Sequence, residues 1–294
     1  MANLKEIQRK IRSVKNTQKT TNAMKLVSSA KLKRTEELAK QSKVYAAKIT
    51  EMIKEIAANI AKQGDEVDNI FFKQVANPKV VDLIFVTADK GLCGGFNSQT
   101  IKHINALLAR YQAEDIVVRL RAIGKKGISY YRFNGIDMAT EINDLSAAPT
   151  YARAAEFINE VVEDYIQGKT DRIVVVHNGY VNMITQEIRE GQLVPVDPDE
   201  MVGKAVSTSE LEIEPDDDDT LLEALVRRYL EYSMYYALID SLAAEHSARM
   251  QAMDSATTNA KEMADKLTVK YNKARQEAIT TELIEIISGM ESMK

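Results

Sequence analysis

The sequence predicts an α/β chain with long helices. An antiparallel two-helix left-handed coiled coil, built from the two ends, flanks a three-layer α/β/α domain. Three observations predict this. The 63 residues before Gly64 contain no Gly or Pro, and Gly289 is the only one after Pro215. Apolar residues at both ends recur in steps of three and four. In the middle, apolar runs alternate with segments of helical period. An uninterrupted helical pattern much longer than about 25 residues points to a coiled coil, a membrane span or a helical array. The boundaries read as 1–63 for the first helix, 64–215 for the domain and 216–294 for the last helix.

In the first segment Leu4, Ile7, Ile11 and Val14 form an a/d seam. The spacing returns at Tyr45, Ile49, Met52 and Ile56, and between them the seam carries Gln18, Thr21 and Ser28. Small and polar seam residues give closer but weaker helix contact than Leu or Ile. Residues 1–43 hold twelve Lys or Arg and only three acids. Such a flank is either a solvated helix face or a surface for an acidic partner, protein or nucleic acid.

The middle segment carries three predicted strands, Val80 to Val86, Ile116 to Ile123 and Arg172 to Val176. Helical period runs from Asn97 to Tyr111 and from Tyr151 to Ile166. Strands alternating with helices indicate a mostly parallel sheet covered on both faces, Rossmann-like in outline. No cofactor signature accompanies it. The turn Asp89-Lys90-Gly91-Leu92-Cys93-Gly94-Gly95-Phe96-Asn97 is neither G-x-G-x-x-G nor a P-loop. Its glycines suit a tight turn with no ligand.

The last segment opens with Pro215 and the acids Asp216 to Asp219, which complement a helix N-terminus; Thr220 and Glu223 are spaced as a capping box. Its seam reads Leu222, Val226, Tyr229, Ser233 and Tyr236, then Asp240, Ala243, Ser247 and Met250. At about 1.5 Å per residue, helix 1–60 is roughly 90 Å long and helix 216–290 roughly 110 Å. Starting level at the domain, the second overruns the first by roughly residues 276 to 290. That overhang contains Ile279, Leu283, Ile284, Ile286, Ile287 and Met290, spread around much of its circumference. An apolar tip without a partner in its own chain is expected to be enclosed by another protein.

Chemistry-bearing residues are sparse. Cys93 is the only cysteine, which leaves no intramolecular disulfide and fits a reducing compartment. It is expected to be a small buried thiol in a turn. His103, His177 and His246 have no ligand spacing, so neither a metal nor a catalytic residue is assigned. The charged N-terminus has no apolar signal core, and no run of about 18 apolar residues is present.

The two ends also carry more specific text than a coiled coil needs. Residues 16–27 read NTQKTTNAMKLV and residues 247–253 read SARMQAM; YNKARQ and ITTEL follow at 271–276 and 279–283. Together with the turn at 89–97, these closely resemble the gamma subunit of bacterial F-type ATP synthases, over nearly the whole chain. The resemblance implies the rotor shaft of a proton-translocating ATP synthase, with no active site or cofactor of its own. The implied partners are the alpha and beta subunits of the catalytic ring, the epsilon subunit and the membrane c-ring. The implied location is peripheral, on the cytoplasmic face of the bacterial inner membrane.

Position by position, the resemblance assigns Met24, Lys25, Arg249, Arg275, Gln276 and Thr280 to the alpha/beta ring. It assigns Glu214 to the c-ring and epsilon foot. The chain has Ile213-Glu214-Pro215-Asp216 where the family often has Tyr-Glu-Pro-Asp, and its tail 289–294 departs from the usual small-residue ending. Two other readings stay open at the level of sequence. One is an enzyme with a Rossmann-like domain and a coiled-coil arm; the other is a scaffold holding clients at its tips.

Overall fold

The computed structural model describes residues 2–62, 70–196 and 218–291. The chain packs as two compact units. One joins residues 1–29 to 249–294, and the other comprises residues 30–248. Two helices run through both: α1 spans Ala2–Lys62 and α5 spans Asp218–Glu291, each unbroken.

In the larger unit, five strands form one sheet: β1 (Val80–Val86), β2 (Val117–Ile123), β3 (Thr140–Ile142), β4 (Arg172–Tyr180) and β5 (Gln186–Val194). Their order is β3-β2-β1-β4-β5. The pairs around β1, β2, β3 and β4 are parallel, and β5 joins β4 antiparallel through a short hairpin. The three predicted strands are therefore present, and β4 extends four residues beyond the predicted Val176. The extension is mostly buried but reads His-Asn-Gly-Tyr, and β5 and the three-residue β3 have mixed burial; none is a continuous apolar run, so their sequence carries little strand signal.

Side chains of β1 alternate between the two faces. Val81, Leu83 and Phe85 pack with Ile104 and Leu107 of α2 (Phe96–Ala113) and with Ile128 and Tyr131 of α3 (Lys125–Phe133). Ile84 and Val86 pack on the other face with α4 (Tyr151–Ile166) and α5. That gives the predicted three layers. Helix α4 shows why the second face forms. Thr150 caps it by accepting from the Arg153 N–H, and Ala154, Phe157, Ile158, Val161, Val162 and Tyr165 make one buried stripe. Each large apolar side chain of that stripe contributes about 1.5–3 kcal/mol on burial.

Gly124 joins β2 to α3 with φ at +102°, and a Cβ there would lie 1.9 Å from the Thr87 carbonyl oxygen. Only glycine meets both demands.

The seam of α1 holds over most of its length. Ile7, Thr21, Ser28, Leu32, Thr35 and Ser42 are buried, with Leu4, Ile11, Val14 and Gln18 half-buried between them. Further on the expected register shifts. Tyr45 and Met52 are exposed, while Ile49 and Ile53 are buried; Ile56 lies outside the residues whose side chains are described. Helix α5 shifts likewise. Leu222 and Val226 are buried as expected, but Leu230, Met234 and Ala237 then replace Tyr229, Ser233 and Tyr236 as the innermost residues. In this unit α5 lies on a sheet and beside α4. A broad surface buries rows at spacing four and then most of the circumference, which a two-helix seam does not. From Ala237 to Arg249 only Leu242 is not buried. Of the expected Thr220–Glu223 cap, the Thr220 side chain lies outside those described, and the Glu223 carboxylate is exposed and accepts from Arg227 Nε at 3.1 Å.

Candidate functional site

In the smaller unit α1 and α5 run antiparallel in a register set by two polar contacts. The hydroxyls of Thr21 and Thr257 are 2.7 Å apart, and Lys25 Nζ donates to Asp254 Oδ1 at 2.7 Å. Continued towards the start of α1, this register puts Val14 opposite Ala264, Ile7 opposite Tyr271 and Leu4 opposite Ala274. Those α5 residues are buried or half-buried, and Ala278 is the last that is. Every residue from Ile279 to Met290 is exposed. The overhang anticipated from the lengths is thus present, starting about three residues later than the length estimate.

Ile279, Leu283, Ile284, Ile286, Ile287 and Met290 are all about half exposed or more, from 49 to 64%. At about 100° per residue they cover an arc of roughly 160°, a one-sided stripe narrower than the spread around much of the circumference expected from the sequence. Thr281 lies outside this stripe, and its hydroxyl donates to the Glu277 carbonyl. Within the unit, nothing described covers the stripe.

The ring-assigned residues fall into two groups. Met24 and Lys25 are half-buried beside the seam of α1, and Arg249 is buried on α5. The Lys25 ammonium engages Asp254, a pairing the sequence reading did not include. Arg275, Gln276 and Thr280 are exposed on α5, and the Thr280 hydroxyl donates back to the Gln276 carbonyl. Glu214 lies outside the described residues. Asp254 and Thr257 went unnoticed in the sequence because each looks like an ordinary helix-surface residue. Only the register shows that they face Lys25 and Thr21.

The larger unit has a second place to examine. Doubly wound sheets take ligands beyond the C-terminal strand ends, where the strand order reverses. Here that is the space above β1 and β4, and the chain fills it. Ala88, Cys93 and Phe96 pack against Ala244 and Ala248 of α5, with Tyr180 beside them. The glycine-rich turn closes on itself. The Asn97 carboxamide accepts from the Ala88 N–H at 2.9 Å and donates to Cys93 Sγ at 3.2 Å. Cys93 is a buried thiol in the turn, as expected. At the start of α3, where a phosphate would suit the helix dipole, Asp89 Oδ1 accepts from the Lys125 N–H at 2.9 Å. A side chain of the chain itself occupies the anion position.

Charge inside the domain is structural. Arg121 is 1% exposed on β2 and reaches Asp82 at 3.1 Å and Asp164 at 2.5 Å. Burial pushes the Asp82 carboxyl above its usual value despite Arg121 and Arg119. Asp164 also loses solvation, but hydrogen bonds from Lys169, Arg119 and Arg121 outweigh that loss and hold its pKa well below the ordinary range. His103 pairs with Glu190 and His177 with Asp240. Among the described residues no cluster of His, Cys, Asp or Glu could hold a metal ion, and no helix is long and apolar enough to cross a membrane.

Comparison with known proteins agrees along the whole chain. A family model described as ATP synthase matches residues 3–293. The ATP synthase gamma chain of Sulfurovum sp. (strain NBC37-1) is 72% identical over 295 residues, covering 100% of both chains. That of Campylobacter jejuni subsp. jejuni is 57% identical over 297 residues, again covering 100% of both. Among solved structures, a chain of the Euglena gracilis mitochondrial ATP synthase (OSCP/F1/c-ring) has a TM-score of 0.68 at 18% identity, covering 99% of this chain and 95% of that one. The central stalk/c-ring structure of the Tetrahymena thermophila enzyme gives 0.62 at 23% identity, covering 81% and 99%. These two show the fold. With the two-helix pair, the filled crevice and the full-length relatives, they lead to one assignment: the chain belongs to the ATP synthase family, among its gamma chains, the rotor shafts of that machine.

Proposed function

We propose that this gamma chain transmits torque between a proton-driven c-ring and the alpha and beta subunits of a catalytic ring, with no active site of its own. The observation that carries this reading is the exposed apolar tip of α5, residues 279–290, which the register leaves beyond the reach of α1. A surface of that kind is stable in water when another protein encloses it. The ring of alpha and beta subunits is the enclosing partner.

Lower on the shaft, small and polar seam residues and the basic flank of α1 meet the moving parts of the ring. Met24, Lys25 and Arg249 make these contacts at one height. Arg275, Gln276 and Thr280 make them higher up, inside the ring. Glu214 contributes to the foot, against the c-ring and the epsilon subunit. A shaft must pass several near-equivalent positions, which favours shallow polar contacts over deep apolar pockets at this height. The protein sits at the cytoplasmic face of the bacterial inner membrane, held there by the complex.

An enzymatic reading loses support from the filled crevice and from Asp89 at the α3 N-terminus. The test is co-expression of a tagged chain with alpha and beta subunits of the same organism. The expected result is a stoichiometric complex that hydrolyses ATP, from a chain that hydrolyses none alone. Failure of alpha and beta subunits to co-purify overturns the reading.

A further inference from the structure

Torque has to pass between the α/β sheet and α5, yet most contacts between them are apolar. Leu230, Met234 and Leu238 pack into the sheet's core without directional bonds. Apolar contact resists separation well and rotation about the helix axis poorly, since it is not directional. Ser247 adds bonds to Gln186 and the Met183 carbonyl and the half-buried Arg227 one to Glu163, but the buried charged contacts that add direction are two carboxylates on α5.

Glu231, 8% exposed, turns towards α4. It accepts from the Tyr151 hydroxyl, from Asn159 Nδ2 at 2.8 Å and from Arg228 Nη1 at 3.1 Å. Asp240, 3% exposed, turns towards the β4–β5 arm. Its Oδ2 accepts from Arg189 Nη1 at 2.6 Å and lies 3.0 Å from His177 Nε2, while its Oδ1 accepts from the Tyr180 N–H at 3.2 Å. The Arg189 side chain lies across Gly179, where a Cβ would come within 2.4 Å of its Nε. The seat is therefore built for that side chain.

The two carboxylates are nine residues apart. At about 100° per residue they point to opposite sides of α5, about two and a half turns apart along it. One is held by α4 on one flank, the other by β4 and β5 on the opposite flank. Opposed lateral anchors form a mechanical couple. A helix held on one side relieves a twist by rolling about that side; held on both, it cannot. We infer that Glu231 and Asp240 are positioning residues of the rotor, a two-sided clamp that keeps α5 in angular register with the sheet under torque. This rests on the rotor reading above. Charge-assisted hydrogen bonds, stronger and more directional than neutral ones, suit the task.

The experiment uses the complete ATP synthase in sealed vesicles, with the parent chain, Glu231→Gln, Asp240→Asn and the double variant. ATP hydrolysis and ATP-driven proton uptake are measured without and against an opposing proton gradient. The expected result is unloaded hydrolysis within about twofold of the parent in every variant. Proton uptake per ATP against the gradient falls modestly in each single variant and at least threefold in the double. Asp240→Glu, which keeps the charge, recovers part of it. Loaded uptake per ATP equal to the parent's in the double variant overturns the clamp. So does an equal fall of hydrolysis and uptake at every load, the sign of a merely structural role. If the double variant does not assemble, Arg189→Lys carries the same test, because it keeps the cation and drops the fork. A parent complex that assembles but never pumps overturns the rotor reading itself.

Discussion

Thr21 and Thr257, 236 residues apart in sequence, share a hydrogen bond of 2.7 Å across two helices. Each hydroxyl has one proton. Thr257 also lies 2.7 Å from the Met253 carbonyl, whereas Thr21 is 3.1 Å from that of Gln18. The shorter contact assigns the Thr257 proton to its own helix, so Thr21 donates across the seam. At a position where Leu or Ile would also pack, this polar pair marks one register of α1 against α5 over its neighbours.

Thr257→Val leaves the Thr21 hydroxyl only the Gln18 carbonyl of its own helix and is expected to cost about 1 kcal/mol of stability. Thr21→Val with Thr257→Val is expected to cost less than the sum of the single changes, because the bond across the seam is lost only once. Urea unfolding of the four chains of the cycle measures the coupling, and additive costs would contradict the shared bond.

The tip of α5 makes an opposite kind of prediction. Ile284 and Ile287 are 60% and 57% exposed, so replacing both with Lys should change unfolding free energy by no more than about 0.5 kcal/mol. If the ring buries them, each forfeits about 1.5–3 kcal/mol of contact, or roughly ten- to a hundredfold in affinity. Titrating the variant against preassembled alpha and beta subunits separates the two effects.

Arg121 sits against three carboxylates, Asp82, Glu160 and Asp164, with 1% of its surface exposed. Arg121→Met removes the central cation of a buried network and leaves Asp82 with Arg119 alone, at 3.3 Å. The expected loss is about 2–3 kcal/mol, below the roughly 3–5 kcal/mol of a buried charge left with no partner, because Arg119 remains. Replacing Asp82 with Leu in the same chain should restore part of it, since an apolar pair has no charge to leave unpaired; chemical denaturation of both variants checks the order.

Acid should act on this cluster with two signs. Asp164 has a folded pKa below its ordinary 3.8, so its contribution is present above that value and is lost as pH falls through the folded pKa. Asp82 has a folded pKa above 3.8, so its charge costs stability at neutral pH, and protonation relieves that cost as pH falls towards 3.8. Asp164→Asn is therefore expected to remove part of the stability loss at the acid end. Asp82→Asn should remove the gain at the upper end. Denaturation midpoints taken from neutral pH downwards, for parent and variants, distinguish them.

Much of this architecture could be read from local signals. Breaker-free ends, a three–four seam and apolar β-branched runs each reflect what a short stretch of chain prefers, so helices α1, α2, α4 and α5 and strands β1 and β2 were legible. The excess length of α5 over α1, and with it the apolar tip, followed from residue counting. Strand β5 was not legible, because it is an edge strand whose polar residues stay exposed or half-buried, and only Leu193 and Val194 at its end are buried. The inner stripe of α5 was misplaced by one residue between Tyr229 and Tyr236, because a sheet rather than a single helix receives it. Local sequence thus determined which segments are helix or strand, how long they run and which chemistry they lack. Tertiary packing decided which of many similar polar residues face one another: Thr21 and Thr257, Lys25 and Asp254, Arg189 and Asp240. The physical reason is that period and propensity act within a few residues. A hydrogen bond between residues tens or hundreds apart depends on register and rotation, which are set only when every layer has packed.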